Sequence, residues 1–277
     1  MELKFTNMKI SFTTLSCPDW SWDKIVSEAV RLGYDGIEIR GIDGEMYIPK
    51  ATPFIHENIY ATIRSLKEKG IKITNLGSGV EFHDMNKFDM YLSEGKEYID
   101  LASKLGVPYV RVFGNKILNP AKREETIELI SSGLKQLSDY CMNKNVMCLL
   151  ETHGDFANVE NLMPVLDKVN SPYLGVLWDV EHTFKVYGED IMEFVDSMVK
   201  YIRHVHIKDT KKGVDCFKLC KIGEGDIPIP RIIDVLNNNG YDGYLSLEWE
   251  KKYNPHLEEP EMIIPAYIDY IKKYLGK

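Results

Sequence analysis

Short apolar runs alternate with longer amphipathic stretches along the whole chain. The runs read as strands at Lys9–Thr13, Gly36–Arg40, Ile71–Leu76, Tyr109–Phe113, Val146–Glu151, Leu174–Asp179, Ile202–His206 and Gly243–Glu248. Between them, apolar residues recur with helical spacing over Trp22–Leu32, His56–Lys69, Tyr91–Leu105, Glu124–Asn143, Asn161–Lys168, Ile191–Tyr201 and Ile229–Asn238. A last helix over Glu261–Leu275 closes the chain. Runs such as VMCLL and LGVLW suit strands covered on both faces. Strands alternating with helices predict a parallel sheet. Gly33, Gly70, Gly106 and Gly240 each follow a helical stretch, where a left-handed residue can close the helix. GYDGIEI (33–39) and GYDGYLSL (240–247) nearly repeat, which predicts equivalent corners before the second and eighth strands. No linker-like or low-complexity stretch divides the chain. The expected fold is α/β, a single (β/α)8 barrel over residues 1–277. A doubly wound open sheet is the alternative, but no GxGxxG follows a strand.

The last four runs share one feature. Each is apolar until its end, then presents Glu151, Asp179, His206 or Glu248. Buried carboxylates and imidazoles are costly unless paired or metal-bound. In such a barrel the active site lies at the C-terminal strand ends, and strands five to eight are neighbours around half the ring. The four side chains are therefore expected to converge on one divalent metal ion. Three carboxylates and an imidazole favour Mn2+, with Mg2+, Co2+ or Zn2+ as alternatives, and His206 must be neutral to act as a ligand. Ordinary strand-end polarity explains any one of the four alone.

More polar groups follow these ligands: His153 in ETHGDF, His182 in WDVEH, and Lys208 and Asp209 in HVHIKD. They are expected on loops over the barrel mouth, with His153, His182 and Lys208 contacting substrate. Glu38 and Arg40, at the end of the second strand, are further substrate-binding candidates. His204 is read as core or as support for His206, and Arg111 as a partner for a carboxylate inside the barrel. Trp178 and Trp249 flank proposed ligands. Trp20 and Trp22 stand near the first strand's exit, where aromatics can cover a sugar, although core packing is their commoner use. GEGDIP (223–228) is a Gly-rich loop whose backbone can approach a ligand. There is no GxSxG, P-loop or kinase signature.

Composition narrows the partners. A formal charge of −8 argues against nucleic acid. Five cysteines without a CxxC pair argue against a disulfide framework and for free thiols in the cytoplasm. Cys216 and Cys220 are spaced for one helical face, without other zinc-site support. No signal peptide or membrane span is evident.

At these residues the chain resembles the xylose-isomerase-like TIM-barrel superfamily, which includes sugar and sugar-phosphate isomerases and epimerases, inosose and 3-dehydroshikimate dehydratases, and apurinic endonucleases. The resemblance runs from GYDGIEIR to the last strand. It implies that Glu151, Asp179, His206 and Glu248 form the metal site and that His182 and Lys208 contact a small sugar or keto-polyol substrate. It further implies isomerisation or epimerisation by proton transfer through a metal-bound cis-enediolate, with Glu151 and Glu248 as catalytic acid/base groups. The position six residues past Glu151, a Glu in ketose 3-epimerases, is Ala157 here. ETH looks more like the dehydratases, so elimination of water with His153 or His182 as acid is the alternative. An apurinic endonuclease would need more histidines than the seven present and a basic groove. A non-catalytic sugar-binding barrel is disfavoured by the full ligand set. Homo-oligomers are common in the superfamily, and no residue here sets the state.

Overall fold

The parallel sheet closes on itself. In this computed structural model, which describes residues 7–214 and 216–276, the chain runs β1 (Lys9–Thr13), α1 (Trp22–Leu32), β2 (Gly36–Ile39), α2 (Ile59–Lys69), β3 (Lys72–Glu81), α3 (Phe88–Leu105), β4 (Tyr109–Phe113) and α4 (Arg123–Tyr140). It continues β5 (Met147–Glu151), α5 (Val159–Val169), β6 (Leu174–Asp179), α6 (Val180–Tyr187), α7 (Ile191–Met198), β7 (Ile202–Ile207), β8 (Asp209–Lys212) and β9 (Phe217–Cys220). It ends α8 (Ile229–Asn238), β10 (Tyr244–Leu247) and α9 (Pro260–Leu275). The barrel order is β1-β10-β7-β6-β5-β4-β3-β2, and β8 and β9 form a separate antiparallel hairpin.

Local chemistry explains the punctuation. Ser21 accepts a hydrogen bond from Lys24 N at the start of α1, and Gly33 ends that helix at φ 77°. Gly240 takes φ 74° at the matching corner before β10, so the GYDG repeat does mark equivalent turns. The strand cores are buried throughout: every residue of β6 and β10 is buried. Helices cover the outer face with apolar stripes, as Ile229, Ile232, Ile233 and Leu236 do on α8.

Three elements depart from expectation. A helix, α6, begins immediately after Asp179 with no intervening loop. The segment after β7 forms the β8–β9 hairpin, so Cys216 and Cys220 lie on or beside a strand rather than on a helical face. α4 stops at Tyr140, because Asn143 and Asn145 adopt φ 66° and 56°, outside the helical region. All five cysteines are free. No helix among the described residues is long and apolar enough to cross a membrane.

Candidate metal and substrate site

Strand pairing makes the four strand-end residues neighbours. Asp179 stands opposite His206 in the β6–β7 ladder, Glu151 opposite Leu177 in β5–β6, and Ser246 of β10 opposite His206. Glu248 lies just past β10, and its N–H continues the ladder to Ile207 O. Glu151, Asp179 and His206 are buried, with Glu248 6% exposed. One donor atom from each lies within 4.8 Å of all the others. His206 Nδ1 is 3.3 Å from Glu248 Oε1, 3.8 Å from Asp179 Oδ2 and 3.9 Å from Glu151 Oε1.

This donor set fits a divalent cation. Glu151 Oε2, Asp179 Oδ2 and His206 Nδ1 are buried without a well-aligned hydrogen-bond partner. Buried polar atoms are rarely left so. Lys208 Nζ approaches Asp179 Oδ2 to 2.9 Å as an ion pair, and Arg111 Nε approaches Glu151 Oε2 to 3.1 Å. These contacts offset charge, yet they leave the imidazole nitrogen facing three carboxylates.

Asp179 links the site to the fold. Its Oδ1 accepts from Glu181 N at 2.8 Å and His182 N at 3.1 Å, capping α6, while Oδ2 points into the cluster. His182 therefore rides on the first helical turn rather than on a loop. Its ring meets that of His153 edge-on at 4.4 Å, and His153 packs on Phe113 at 4.9 Å.

Glu38 is placed differently from expectation. It is 1% exposed and lies inside the barrel beneath the cluster, not on the cavity wall. Its Oε1 and Oε2 are 2.9 and 3.0 Å from His206 Nε2, and Oε2 is 2.8 Å from His204 Nε2. Ser246 Oγ and Asn75 Nδ2 also donate to it, each at 2.9 Å. A carboxylate on one ring nitrogen orients the other for coordination. His204 thus supports Glu38, as its position two residues before His206 allows.

Lys208 is fully enclosed. Besides Asp179, its Nζ donates to Glu248 Oε2 and Glu250 Oε1, both at 2.7 Å. Glu250 escaped the sequence reading, although its spacing of two from Glu248 puts both on one side of an extended segment. The GEGDIP loop serves Asp209 rather than a ligand. Gly223 and Gly225 N–H groups donate to Asp209 Oδ2 at 2.9 and 3.0 Å, and Thr210 N donates to Oδ1 at 2.9 Å. Trp20 and Trp22 stay away from the cavity: Trp20 donates to Glu261 and Trp22 packs on Phe54. Trp178 stacks on Phe194, and Trp249 donates to Glu258 O.

Above the cluster opens a cavity of about 240 Å³, lined by Leu15, Arg40, Arg111, Phe113, Glu151, His153, His182, Glu248, Glu250 and Tyr253. Burial pushes the Glu151 carboxyl up to about 7, against the opposing pull of Arg111. Burial also acts on Glu248, but His206 and Lys208 outweigh it and hold that carboxyl down at about 2. Burial lowers His182 to about 3 and lowers His153 as well. For His206, burial is overcome by Glu248 and Glu38, which hold the imidazole well above its usual range.

A family model described as a xylose isomerase-like TIM barrel matches residues 26–274. The chain belongs to the xylose isomerase-like TIM-barrel family. L-ribulose-5-phosphate 3-epimerase UlaE of Escherichia coli K12 is similar at 22% identity over 265 residues, spanning 92% of this chain and 90% of that protein. Two solved structures of this barrel type are similar in fold. The IOLI protein, crystallised with a zinc atom, superposes with a TM-score of 0.79 at 22% identity, covering 98% of this chain and all of its own (100%). The probable 3-DHS dehydratase AsbF of Bacillus anthracis superposes with a TM-score of 0.77 at 20% identity, covering 96% and 99%. The proteins to which this chain is similar thus include a sugar-phosphate epimerase and a probable dehydratase.

Proposed function

We propose that the chain is a divalent-metal-dependent isomerase or epimerase of a small keto-sugar, with Glu151, Asp179, His206 and Glu248 holding the metal. The observation that carries this reading is the convergence of those four donors within 4.8 Å, with His206 Nδ1 buried, without a well-aligned hydrogen-bond partner, and facing three carboxylates. Oxygen-rich donors with one imidazole suit Mn2+ best, and Mg2+, Co2+ or Zn2+ also match. The bound ion supplies Lewis acidity, which polarises a substrate carbonyl and makes the adjacent C–H easier to deprotonate.

The chain's own groups then handle the proton. Glu151 and Glu248 end the two outer strands of the four-strand arc β5-β6-β7-β10. They therefore reach the substrate from different sides. Glu248, held ionised by His206 and Lys208, is the ready acceptor. Glu151, raised by burial, keeps a proton more readily and returns one. Two carboxyl groups whose environments push them apart make an acid–base pair. Removal of a proton by one group and delivery of a proton by the other to the opposite face of the same carbon inverts that centre; return by the same group to the neighbouring carbon interconverts aldose and ketose. Lys208 steadies Glu248, and Arg111 steadies Glu151.

Burial lowers the His153 and His182 imidazoles and so favours their neutral forms. Neutral rings serve better as hydrogen-bond partners for substrate hydroxyls. The UlaE relative supports the epimerase side.

A panel of free and phosphorylated ketoses and inososes, assayed with Mn2+ in deuterated water, tests the proposal. The expected result is an isomer or epimer carrying solvent deuterium at one carbon, lost on chelation and restored by metal. An unsaturated product with new ultraviolet absorbance would replace the proposal with water elimination. Turnover indifferent to chelators would sink the metal chemistry.

A further inference from the structure

Two arginines share one wall of the cavity. Arg40 follows β2, Arg111 lies in β4, and Gly77 of β3 stands between them, paired with Arg111 in the ladder. A Cβ at Gly77 would lie 2.9 Å from Arg111 Nη2 and 2.9 Å from Arg40 Cδ. The absent side chain is what lets both stems cross the strand. Arg111 places Nε 3.1 Å from Glu151 and lays its guanidinium over Phe113 at 3.9 Å. Its Nη1 is buried without a hydrogen-bond partner, on a residue only 2% exposed. Arg40 has no ion-pair partner among the described residues. Its side chain makes one long contact, 3.4 Å from Nη1 to Met46 O.

Guanidinium groups stay charged, so two of them on a half-buried wall repel and lose hydration. One carboxylate, Glu151, pairs with Arg111; among the described residues no carboxylate comes within ion-pair distance of Arg40, and Glu94 and Glu151 act on it only at longer range. The lining also carries Glu248 and Glu250, and both are paired with Lys208 Nζ at 2.7 Å. Arg40 is therefore the lining cation left without an ion pair among the described residues.

We propose that Arg40, together with Nη1 of Arg111, receives an oxyanion carried by the substrate, either a carboxylate or a phosphate monoester. The inference rests on the keto-sugar reading of the cavity and narrows its substrate to an acidic one. Planar guanidinium forks match such oxyanions two bonds at a time. The cavity volume of about 240 Å³ limits that substrate to a small sugar acid or sugar phosphate.

The test uses the full chain loaded with Mn2+. Tetruloses, pentuloses and hexuloses are compared with their terminal phosphates and with the matching terminal carboxylates. Native protein is expected to prefer one anionic set over the neutral ketoses. In Arg40→Gln that preference falls by about 10–100-fold, mainly through KM, the loss expected for a charge-assisted hydrogen bond. Arg40→Lys retains part of it, and carries the comparison if Arg40→Gln melts early. Which anion ranks higher tells phosphate from carboxylate. Calorimetric titration of the same compounds reads binding without turnover. No native preference for an anion, or a preference that survives in Arg40→Gln, overturns the inference. If no ketose turns over, yet an anionic one binds and does so at least tenfold more weakly to Arg40→Gln, the oxyanion site stands and the keto-sugar chemistry falls.

Discussion

Replacing Glu38 with Gln tests how the site sets the state of His206. The Glu38 carboxylate sits among donors on every side: His206 and His204 Nε2, Ser246 Oγ and Asn75 Nδ2, all within 3.0 Å. A glutamine puts an NH2 where one oxygen was, and at either end that NH2 faces a histidine N–H. The clash is relieved if His206 moves its proton from Nε2 to Nδ1. Nδ1 is the atom that faces Glu151, Asp179 and Glu248, and once protonated it cannot coordinate a cation. Removing a partner of this kind weakens metal affinity by roughly 10–100-fold, or about 1.4–2.8 kcal/mol. The assay is Mn2+ titration at neutral pH, by calorimetry or by the resonance of free Mn2+, with a melting curve on the same sample. Folded Glu38→Gln protein that binds Mn2+ within about twofold of native would refute the reasoning, since a twofold change is only about 0.4 kcal/mol.

Asp179 separates fold from site. Asp179→Asn retains a good helix cap for α6 and is expected to melt close to native while losing Mn2+ binding. Asp179→Ala loses the cap as well, at about 0.5–2 kcal/mol more in denaturant unfolding; equal stability of the two variants would contradict the capping role. Without metal, His206 is held protonated by Glu248 and Glu38, and Glu151 titrates at about 7. Metal binding must displace those protons, so affinity rises with pH from 6 to 8 by about tenfold per unit for each proton released. Calorimetry in buffers of different ionisation enthalpy reads the release, and a pH-independent affinity would overturn this account. Asp209→Ala strands the Gly223, Gly225 and Thr210 N–H groups, at about 1–3 kcal/mol for each one that water cannot reach; an unchanged melting temperature would show that the loop holds itself.

Some of this was legible in the sequence because the barrel imposes a simple code. Strands buried on both faces are apolar throughout, so a polar residue at a strand end stands out, as Glu151 and Asp179 do after CLL and LGVLW. Strand order did the rest: consecutive parallel strands lie side by side, so four consecutive endings meet. What stayed hidden depends on quantities no local pattern carries. Glu38 lies inside the short run GIEI, one residue before its end, and local sequence offers it only as a candidate for the barrel mouth. Its depth is set by stagger between strands, where the β2–β3 register shifts between Ile37 and Glu38. That shift belongs to the closed ring, and it puts the Glu38 carboxylate below the imidazoles instead of beside the substrate.

The missed helix and the missed carboxylate have a related cause. A loop is expected between strand and helix, and α6 dispenses with it because Asp179 is both the last strand residue and the helix cap. Asp179 has the residue type of a helix N-cap, and Glu181 adds an acid to the first turn, but a carboxylate at a strand end points equally to a ligand. Glu250 lies past the apolar run, where nothing local distinguishes it from surface charge, and its role follows from Lys208 reaching across from β7. Lys208 itself explains how the cluster folds at all. Three carboxylates aimed at one point repel, and burial sharpens the repulsion. A buried ammonium touching Asp179, Glu248 and Glu250, with Arg111 touching Glu151, offsets most of that charge. The cost that remains is concentrated on His206 Nδ1 and the carboxylate oxygens around it, the atoms a divalent cation would satisfy.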